Sequence, residues 1–406
     1  MAATPGAVYA IATMDTKGQE LQFVADCLRD AGVEVRMVDV STAAEPTIAA
    51  DVSRSSIYPK PIGELPTDRG DAIAQMADGL AQFLVDEYQR GKVLGVIGIG
   101  GSGGTSLITT AMRALPIGLP KLMVSTVASG NTAPYVDCSD IAMLFSVVDV
   151  AGLNVVSRRV LSNAAYAIAG MAQAPDPVDP KQKTLGLTMF GVTTPCVTQV
   201  REILELEGYD CLVFHATGTG GRAMEKLVES GMIRGVLDLT TTEVADEIVG
   251  GVFPAGPARF DRLVEAKIPL LLSFGAVDMV NFGSKDSVPH GFQDRLLHVH
   301  NAQVTLMRTT PDENRRIAHW IASKLNRSTA PVTVLFPEGG VSMLDAPGQP
   351  FHDPDAREAL WEAFHEAFIE TDNRRLLKLP HHINDPAFAR IAVEQFESLL
   401  TSTLDH

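Results

Sequence analysis

One pattern constrains the fold of this chain more than any other: β-rich runs alternate with amphipathic stretches of helical length, and the series is run through twice. Such alternation is the mark of parallel strands joined by crossover helices. In the first half, strands are predicted at 7–12, 33–38, 93–99, 122–127 and 142–147, with helices at 19–31, 69–90, 105–115 and 153–172. In the second, strands are predicted at 235–239, 270–274, 303–307, 332–336 and 376–379, with closing helices at 355–369 and 386–400. Residues 174–183, APDPVDPKQK, carry three prolines and interrupt everything helical. The expected architecture is α/β: two Rossmann-like subdomains with mainly parallel sheets, residues 1–173 and 184–406, joined by a proline-rich linker at 174–183. Residues 41–66, rich in Pro and Ser, read as an excursion near a site or a subunit contact.

The two halves open alike. VYAIATMDTKGQELQFVADCLRDAGVEVRMVDV and LGLTMFGVTTPCVTQVREILELEGYDCLVFHA each give a strand, a loop, an amphipathic helix and a second strand. Gly32 and Gly208 follow the helices, where a left-handed C-cap favours glycine. Either an internal duplication or shared βαβ geometry accounts for the match.

Composition narrows the partners. Against 33 Lys and Arg stand 49 Asp and Glu, for a formal charge of −16. A surface of that sign repels phosphate backbones, so neither nucleic acid nor an anionic membrane is an expected partner. No apolar run is long enough to span a bilayer, and the first residues lack a basic-then-apolar leader. Cys27, Cys138, Cys196 and Cys211 form no CxxC pair, which argues against a disulfide framework or a zinc site. The expected setting is cytoplasmic.

Two glycine-rich loops follow strand-like runs. Gly98-Ile99-Gly100-Gly101-Ser102-Gly103-Gly104-Thr105 satisfies G-x-G-x-x-G; Thr217-Gly218-Thr219-Gly220-Gly221, with Ala223, satisfies G-x-G-x-x-A. Glycines let the backbone approach an anion, and the helix that follows offers unpaired N–H groups and a positive dipole end. Turn geometry alone is the alternative. No Gly-Lys-Ser/Thr follows, so neither is a Walker loop. Gly100, Gly101, Ser102, Gly103, Gly104 and Thr105, and Thr217, Gly218, Thr219, Gly220 and Gly221, are candidate cofactor contacts. Asp238 lies where a ribose-binding acid would follow the second loop. The first loop comes late in its half for a dinucleotide fingerprint, so NAD is the weaker expectation.

Acid–base chemistry is expected in the second half, because all ten histidines follow the linker. Lys17, Glu338, His352 and His381 are the candidate catalytic residues. Asp15, Ser129, Gly130, Asn131, Asp278, Asn281, Gly339, Gly340 and Ser342 are candidate substrate contacts, all in polar loops past β-rich runs. Plainer readings stand beside these: a Ser/Asn-rich turn at 125–132, surface histidines, and N-caps at Asp353 and Asp385, each ahead of a proline. Cys196 opens a helix but reads as a buried apolar cysteine. No HxH or HExxH spacing points to a metal.

Taken together, ATMDTKGQE, GVIGIGGSGGTSL, VSTVASGNTAPYV, FHATGTGGRAME, GAVDMVNFG, PEGGVSMLDAPGQPFHDP and HINDPAFA resemble the Tm-one-like ATP-binding family. These stretches cover nearly the whole chain. The resemblance implies two Rossmann-like subdomains, ATP as cofactor (with Mg where the phosphates need it) and self-association into a homodimer or higher oligomer. Three functions follow as expectations. The first is a nucleotide-binding enzyme acting on a small anionic metabolite between the subdomains. The others are a non-catalytic nucleotide-binding regulator, and a nucleotide-independent lyase or C–C bond hydrolase whose loops hold a carboxylate.

Overall fold

In the computed structural model the chain divides into two compact units, residues 1–177 and 178–406. The structure describes residues 6–46, 48–58, 64, 66, 68–175 and 183–404. Most of the proline-rich linker at 174–183, and part of the excursion at 41–66, lie outside the described residues.

The first unit runs β1 (Ala7–Ala12), α1 (Met14–Asp30), β2 (Val35–Asp39), α2 (Arg54–Ile57), α3 (Arg69–Gln89), β3 (Val93–Gly100), α4 (Ser102–Ala114), β4 (Lys121–Ser125), α5 (Ala133–Val136), β5 (Ala142–Phe145) and α6 (Val155–Gln173). Its sheet is parallel throughout, in the order β2-β1-β3-β4-β5. Strand β1 shows why it lies inside the sheet. Val8, Ala10 and Ala12 face one way, into a core with Leu21 and Val24 of α1 and Ile168 of α6. Ala7, Tyr9 and Ile11 face the other way, against Leu80 of α3 and Ile108 of α4. Burial of both faces is what helices on both sides of a parallel sheet require.

The second unit runs β6 (Thr184–Met189), α7 (Thr194–Leu206), β7 (Asp210–His215), α8 (Thr219–Glu229), β8 (Val236–Thr240), α9 (Thr242–Val249), α10 (Asp261–Ala266) and β9 (Leu270–Gly275). It continues through β10 (Met279–Phe282), β11 (Leu297–Asn301), β12 (Val304–Arg308), α11 (Pro311–Leu325), β13 (Val332–Pro337), α12 (Pro354–Ala367), β14 (Arg374–Leu379) and α13 (Pro386–Leu404). The main sheet has the order β14-β13-β9-β8-β6-β7, again parallel. Counted along each sheet, the first strand sits between the second and the third in both units. Both are Rossmann-like.

The opening βαβ segments also share a helix end. Gly32 (φ 76°) and Gly208 (φ 86°) follow α1 and α7 in the left-handed region. In each case the amide one residue on reaches back to a carbonyl of the last helical turn: Val33 to Leu28 and Tyr209 to Leu204, both at 3.1 Å. That is the hydrogen-bond pattern of a Schellman cap.

Two departures from the sequence reading stand out. A small antiparallel sheet, β10-β12-β11, branches from the second unit. Its strand β10 takes in Asn281 and follows Asp278, two residues read from sequence as lying in a loop past a β-rich run. All four of its residues are buried, so no alternation marks it as a strand. Helix α1 begins at Met14 rather than Gln19, across a kink where Lys17 leaves helical geometry (φ −128°). Among the described residues no helix is long and apolar enough to cross a membrane, and all four cysteines are free thiols.

Candidate functional site

In an open parallel sheet, ligands bind outside the carboxyl ends of the strands at the point where strand order reverses. In the first unit that point lies between β1 and β3. Two segments flank it: Thr13 and the first turn of α1 after β1, and the first glycine loop after β3. The loop that comes late in sequence is central in space, because β3 pairs directly with β1.

The glycines of this loop divide by reason. At Gly98 a Cβ would lie 2.6 Å from Ile108 and Met123, so this glycine seats α4 against the sheet. At Gly100 it would lie 2.9 Å from the backbone of Gly104 and Thr105, so this one permits the turn. Gly101 and Gly104 have no such neighbour: nothing approaches their Cβ positions closer than 3.8 Å. Neither they nor Gly103 have a positive φ. Neither crowding nor backbone geometry requires glycine at 101 or 104. Helix α4 starts at Ser102 with Gly101 as its N-cap and no side chain capping it. Among the described residues nothing accepts from the amides of Ser102, Gly103 or Gly104. Arg69 lies beside the loop, a guanidinium nitrogen 3.6 Å from the Cβ position of Gly103. Thr105 is buried, its hydroxyl 2.6 Å from that of Ser125.

On the other side of the switch point, Lys17 donates through Nζ to the Val150 carbonyl at 3.0 Å. Asp15 accepts from the Ala44 amide at 3.2 Å, and its own amide donates to Ser41 Oγ at 2.9 Å. Ser129, Gly130 and Asn131 are exposed past β4. Asn131 caps the next turn by accepting from the Ala133 amide at 3.1 Å. At the same sheet edge Val147, exposed beyond β5, has φ 68°. For a β-branched residue that is strain of roughly 1–3 kcal/mol, of the kind that collects at functional sites.

The second glycine loop is built otherwise. It follows β7, the edge strand, not the strand at the switch point. A Cβ on Gly220 would overlap the His215 carbonyl, and one on Gly221 would overlap the Glu243 carboxylate. Gly218 takes φ 76° with the Phe253–Pro254 backbone packed on it. Its amide donates to Glu243 Oε2 at 2.8 Å. Glu243 is fully buried and pairs through Oε1 with Arg259 Nε at 2.6 Å. Arg259, buried too, also binds Glu225 at 2.8 Å and Asp238 at 2.6 Å. So a carboxylate of the chain itself sits in the second loop, and Asp238 is committed to Arg259 and to the Thr188 hydroxyl at 2.7 Å. Burial raises the pKa of Glu225 and Glu243, with Arg259 opposing. Thr217 stays half-buried at the loop's mouth, and Thr219 is exposed.

The loops after β9 and β13 meet underneath. Ser342 Oγ donates to Asp278 Oδ2 at 2.7 Å, and the His382 ring bonds the Ser342 carbonyl at 2.8 Å. Asp345 pairs with Arg357 at 2.9 Å. Asp278 Oδ1 has no hydrogen-bond partner among the described residues, and burial pushes this carboxyl up to about 7. Asn281 donates to Asp246, which burial also pushes up to about 7. Gly339 and Gly340 pack on the backbone of His382 and Asp345 respectively. Glu338 is exposed, 3.5 Å from Lys378. His381 is half-buried, its carbonyl accepting from Gly339. His352 is half-buried, with a buried Nδ1 lacking a partner among the described residues. Asp353 caps α12 through the Ala356 amide at 3.0 Å. Asp385 instead turns its carboxylate back to the His382 amide at 2.9 Å. Cys196 is buried, its thiol pushed up to about 12 by desolvation.

Sequence reasoning passed over the second unit's own switch point, between β6 and β8. There the hydroxyls of Thr193 and Thr240 close on each other at 2.7 Å. The run Thr240-Thr241-Thr242 ahead of α9 was the available signal, and without glycine it did not stand out.

Family models match both units: the N-terminal domain of the uncharacterised protein family UPF0261 over residues 6–177, and its C-terminal domain over residues 182–400. The chain belongs to this family. A UPF0261 protein of Rhizobium meliloti is 51% identical over 97% of this chain and 98% of its own length. The ToMV resistance protein Tm-1(GCR237) of Solanum lycopersicum is 48% identical over 96% of this chain, which spans 55% of that protein. The Tm-1-like resemblance therefore holds along the whole sequence. Among solved structures, UDP-GlcNAc 2-epimerase from Methanocaldococcus jannaschii is 10% identical at a TM-score of 0.22, covering 97% of this chain and 92% of its own.

Proposed function

We propose that the first unit binds a nucleotide, ATP before NAD, with its phosphates on the amides of Ser102, Gly103 and Gly104. One observation carries this: the loop at the switch point has glycine where packing does not require it, ahead of a helix start with open amides. Three such amides, together with a dipole end equivalent to about half a positive charge, favour an anion. Arg69 and Lys17 are the nearby cations, and phosphoryl chemistry needs such charges around it. Lys17 would have to exchange the Val150 carbonyl for the ligand. Catalysis on a small anionic metabolite is the further step of this reading.

Calorimetry on the purified chain tests it. ATP is expected to bind, and Gly101→Asp to abolish binding while the fold persists, since that position is open. Undiminished affinity in Gly101→Asp would overturn the loop assignment. ATP turnover that rises in the presence of a small acid would establish the enzyme; binding without turnover would leave a regulator.

A further inference from the structure

The second unit contains a cavity that the reading above does not use. It has a volume of about 220 Å³ and opens at the carboxyl ends of β6 and β7, under the β11–β12 hairpin. Phe190, Val192, Phe253, Val304 and Leu306 give it apolar walls. Its polar groups are His215, Thr217, His300 and Asn301, and among the described residues no Lys, Arg, Asp or Glu lines it.

The walls are held in place from outside. Phe253 donates its amide to buried Asp246 at 2.8 Å, and Val252 donates to the Asn281 carbonyl at 2.9 Å. The Val192 carbonyl accepts from Asn384 Nδ2 and from the Met343 amide, each at 3.0 Å. Phe190 meets the His215 ring edge-on, with centroids 5.3 Å apart. Such a cavity is formed before any ligand arrives.

Its chemistry is selective. Imidazole, hydroxyl and carboxamide side chains together offer both hydrogen-bond donors and acceptors. With no fixed charge in the lining, a charged ligand would lose hydration without compensation. Cavities for drug-sized ligands begin at about 300 Å³, so this one admits a single ring system.

We propose that this cavity binds one flat, uncharged heteroaromatic ring, of the purine-base or pyridine-carboxamide kind, that carries both donors and acceptors on its edge. The ring lies against the apolar walls, and its edge is read by His215, Thr217, His300 and Asn301. The site lies wholly within the second unit and does not depend on the phosphate loop of the first.

Gly191 supplies the test. It is exposed, lines the cavity, and has nothing within 4 Å of its Cβ position, so Gly191→Trp can plug the site without disturbing the fold. Adenine and nicotinamide are titrated into the full chain by ligand-observed NMR, with benzoate and inorganic triphosphate as charged counterparts. Saturable binding of the uncharged rings is expected, lost in Gly191→Trp. Asn301→Ala, at an exposed position, should weaken it about two- to tenfold, the effect of one neutral hydrogen bond. The proposal fails if neither ring binds at millimolar concentration, if benzoate displaces adenine as readily as nicotinamide does, or if folded Gly191→Trp binds as the parent does. Triphosphate binding that survives Gly191→Trp would belong to the first unit and leave this proposal standing.

Discussion

The two glycine-rich loops look like copies in sequence and are opposites in structure. The first ends the strand beside the switch point, and its helix start is left open. The second ends an edge strand, and Glu243 of the same chain occupies it, anchored by Arg259. A glycine motif thus has two uses: it can make room for a ligand or for the protein's own side chain. What separates them is whether a missing Cβ at the helix start, at Gly101 and Gly104 or at Gly220 and Gly221, would have met anything inside the molecule.

This difference can be broken by substitution, most severely at the second loop. Arg259→Met would strand Asp238, Glu225 and Glu243 in the interior. Breaking one buried pair costs about 3–5 kcal/mol, and three carboxylates lose their partner here. Both tryptophans, Trp320 and Trp361, lie in the second unit, so urea unfolding followed by their fluorescence reads this unit alone. A loss under about 1 kcal/mol would mean that the carboxylates ionise against solvent, and that the second loop is not internally filled.

Gly221→Ala should come next. Its methyl would overlap Glu243, and overpacking of that kind costs about 1–3 kcal/mol. An unchanged urea midpoint would show that Glu243 can leave the loop.

Acidity gives a further contrast. In the second unit Glu225, Glu243, Asp246 and Asp278 all have folded pKa values raised by burial. A carboxyl raised in the folded state binds its proton more tightly there than when unfolded. The stability this brings is complete at low pH and is lost as pH rises through the folded value, near 7 for Asp246 and Asp278. In the first unit burial alone would raise Glu87. Hydrogen bonds from Tyr9, Arg90 and Lys92 outweigh it and lower the value. Its contribution is therefore present above the ordinary glutamate range and lost only as pH falls through the lowered value. From pH 5 to 8 the tryptophan-reported stability should fall, by at most about 1.4 kcal/mol per pH unit for each proton. Asp278→Asn should flatten the slope. A midpoint that climbs with pH would contradict the assignment.

The smallest effect is expected at the first loop. Gly104→Ala meets nothing outside its own helix closer than 3.8 Å, so stability read by thermal unfolding should hold or rise, by no more than about 1 kcal/mol. A large loss there would give this glycine an internal purpose and erase the contrast.

Much of the fold was legible because its determinants are local. The β-rich runs set β1, β3, β9 and β13 to within a residue or two, and Gly32 and Gly208 marked two helix ends through their left-handed backbone. Strand order was not legible, because pairing joins residues far apart: nothing near Val93–Gly100 says that β3 lies against β1. For the same reason Asp238 looked like a ribose ligand. Its partner Arg259 lies 21 residues on, and Glu243 lies 25 residues beyond the amide it accepts from. Of the polar loops in the second half, Asp278 and Ser342 do meet, but as a buried pair 64 residues apart in sequence. His382, beside the histidine singled out from sequence, bonds the Ser342 carbonyl.

The central claim is that the first loop receives an external anion and the second does not. Glycine-selective ¹⁵N labelling with addition of ATP to the Gly191→Trp chain, whose second-unit cavity is plugged, tests it most directly, since every glycine at issue has its own amide signal. The expected result is a saturable shift of the Gly101, Gly103 and Gly104 signals, with Gly218, Gly220 and Gly221 unmoved. Shifts confined to the second loop, or no shift in the first at millimolar ATP, would contradict it.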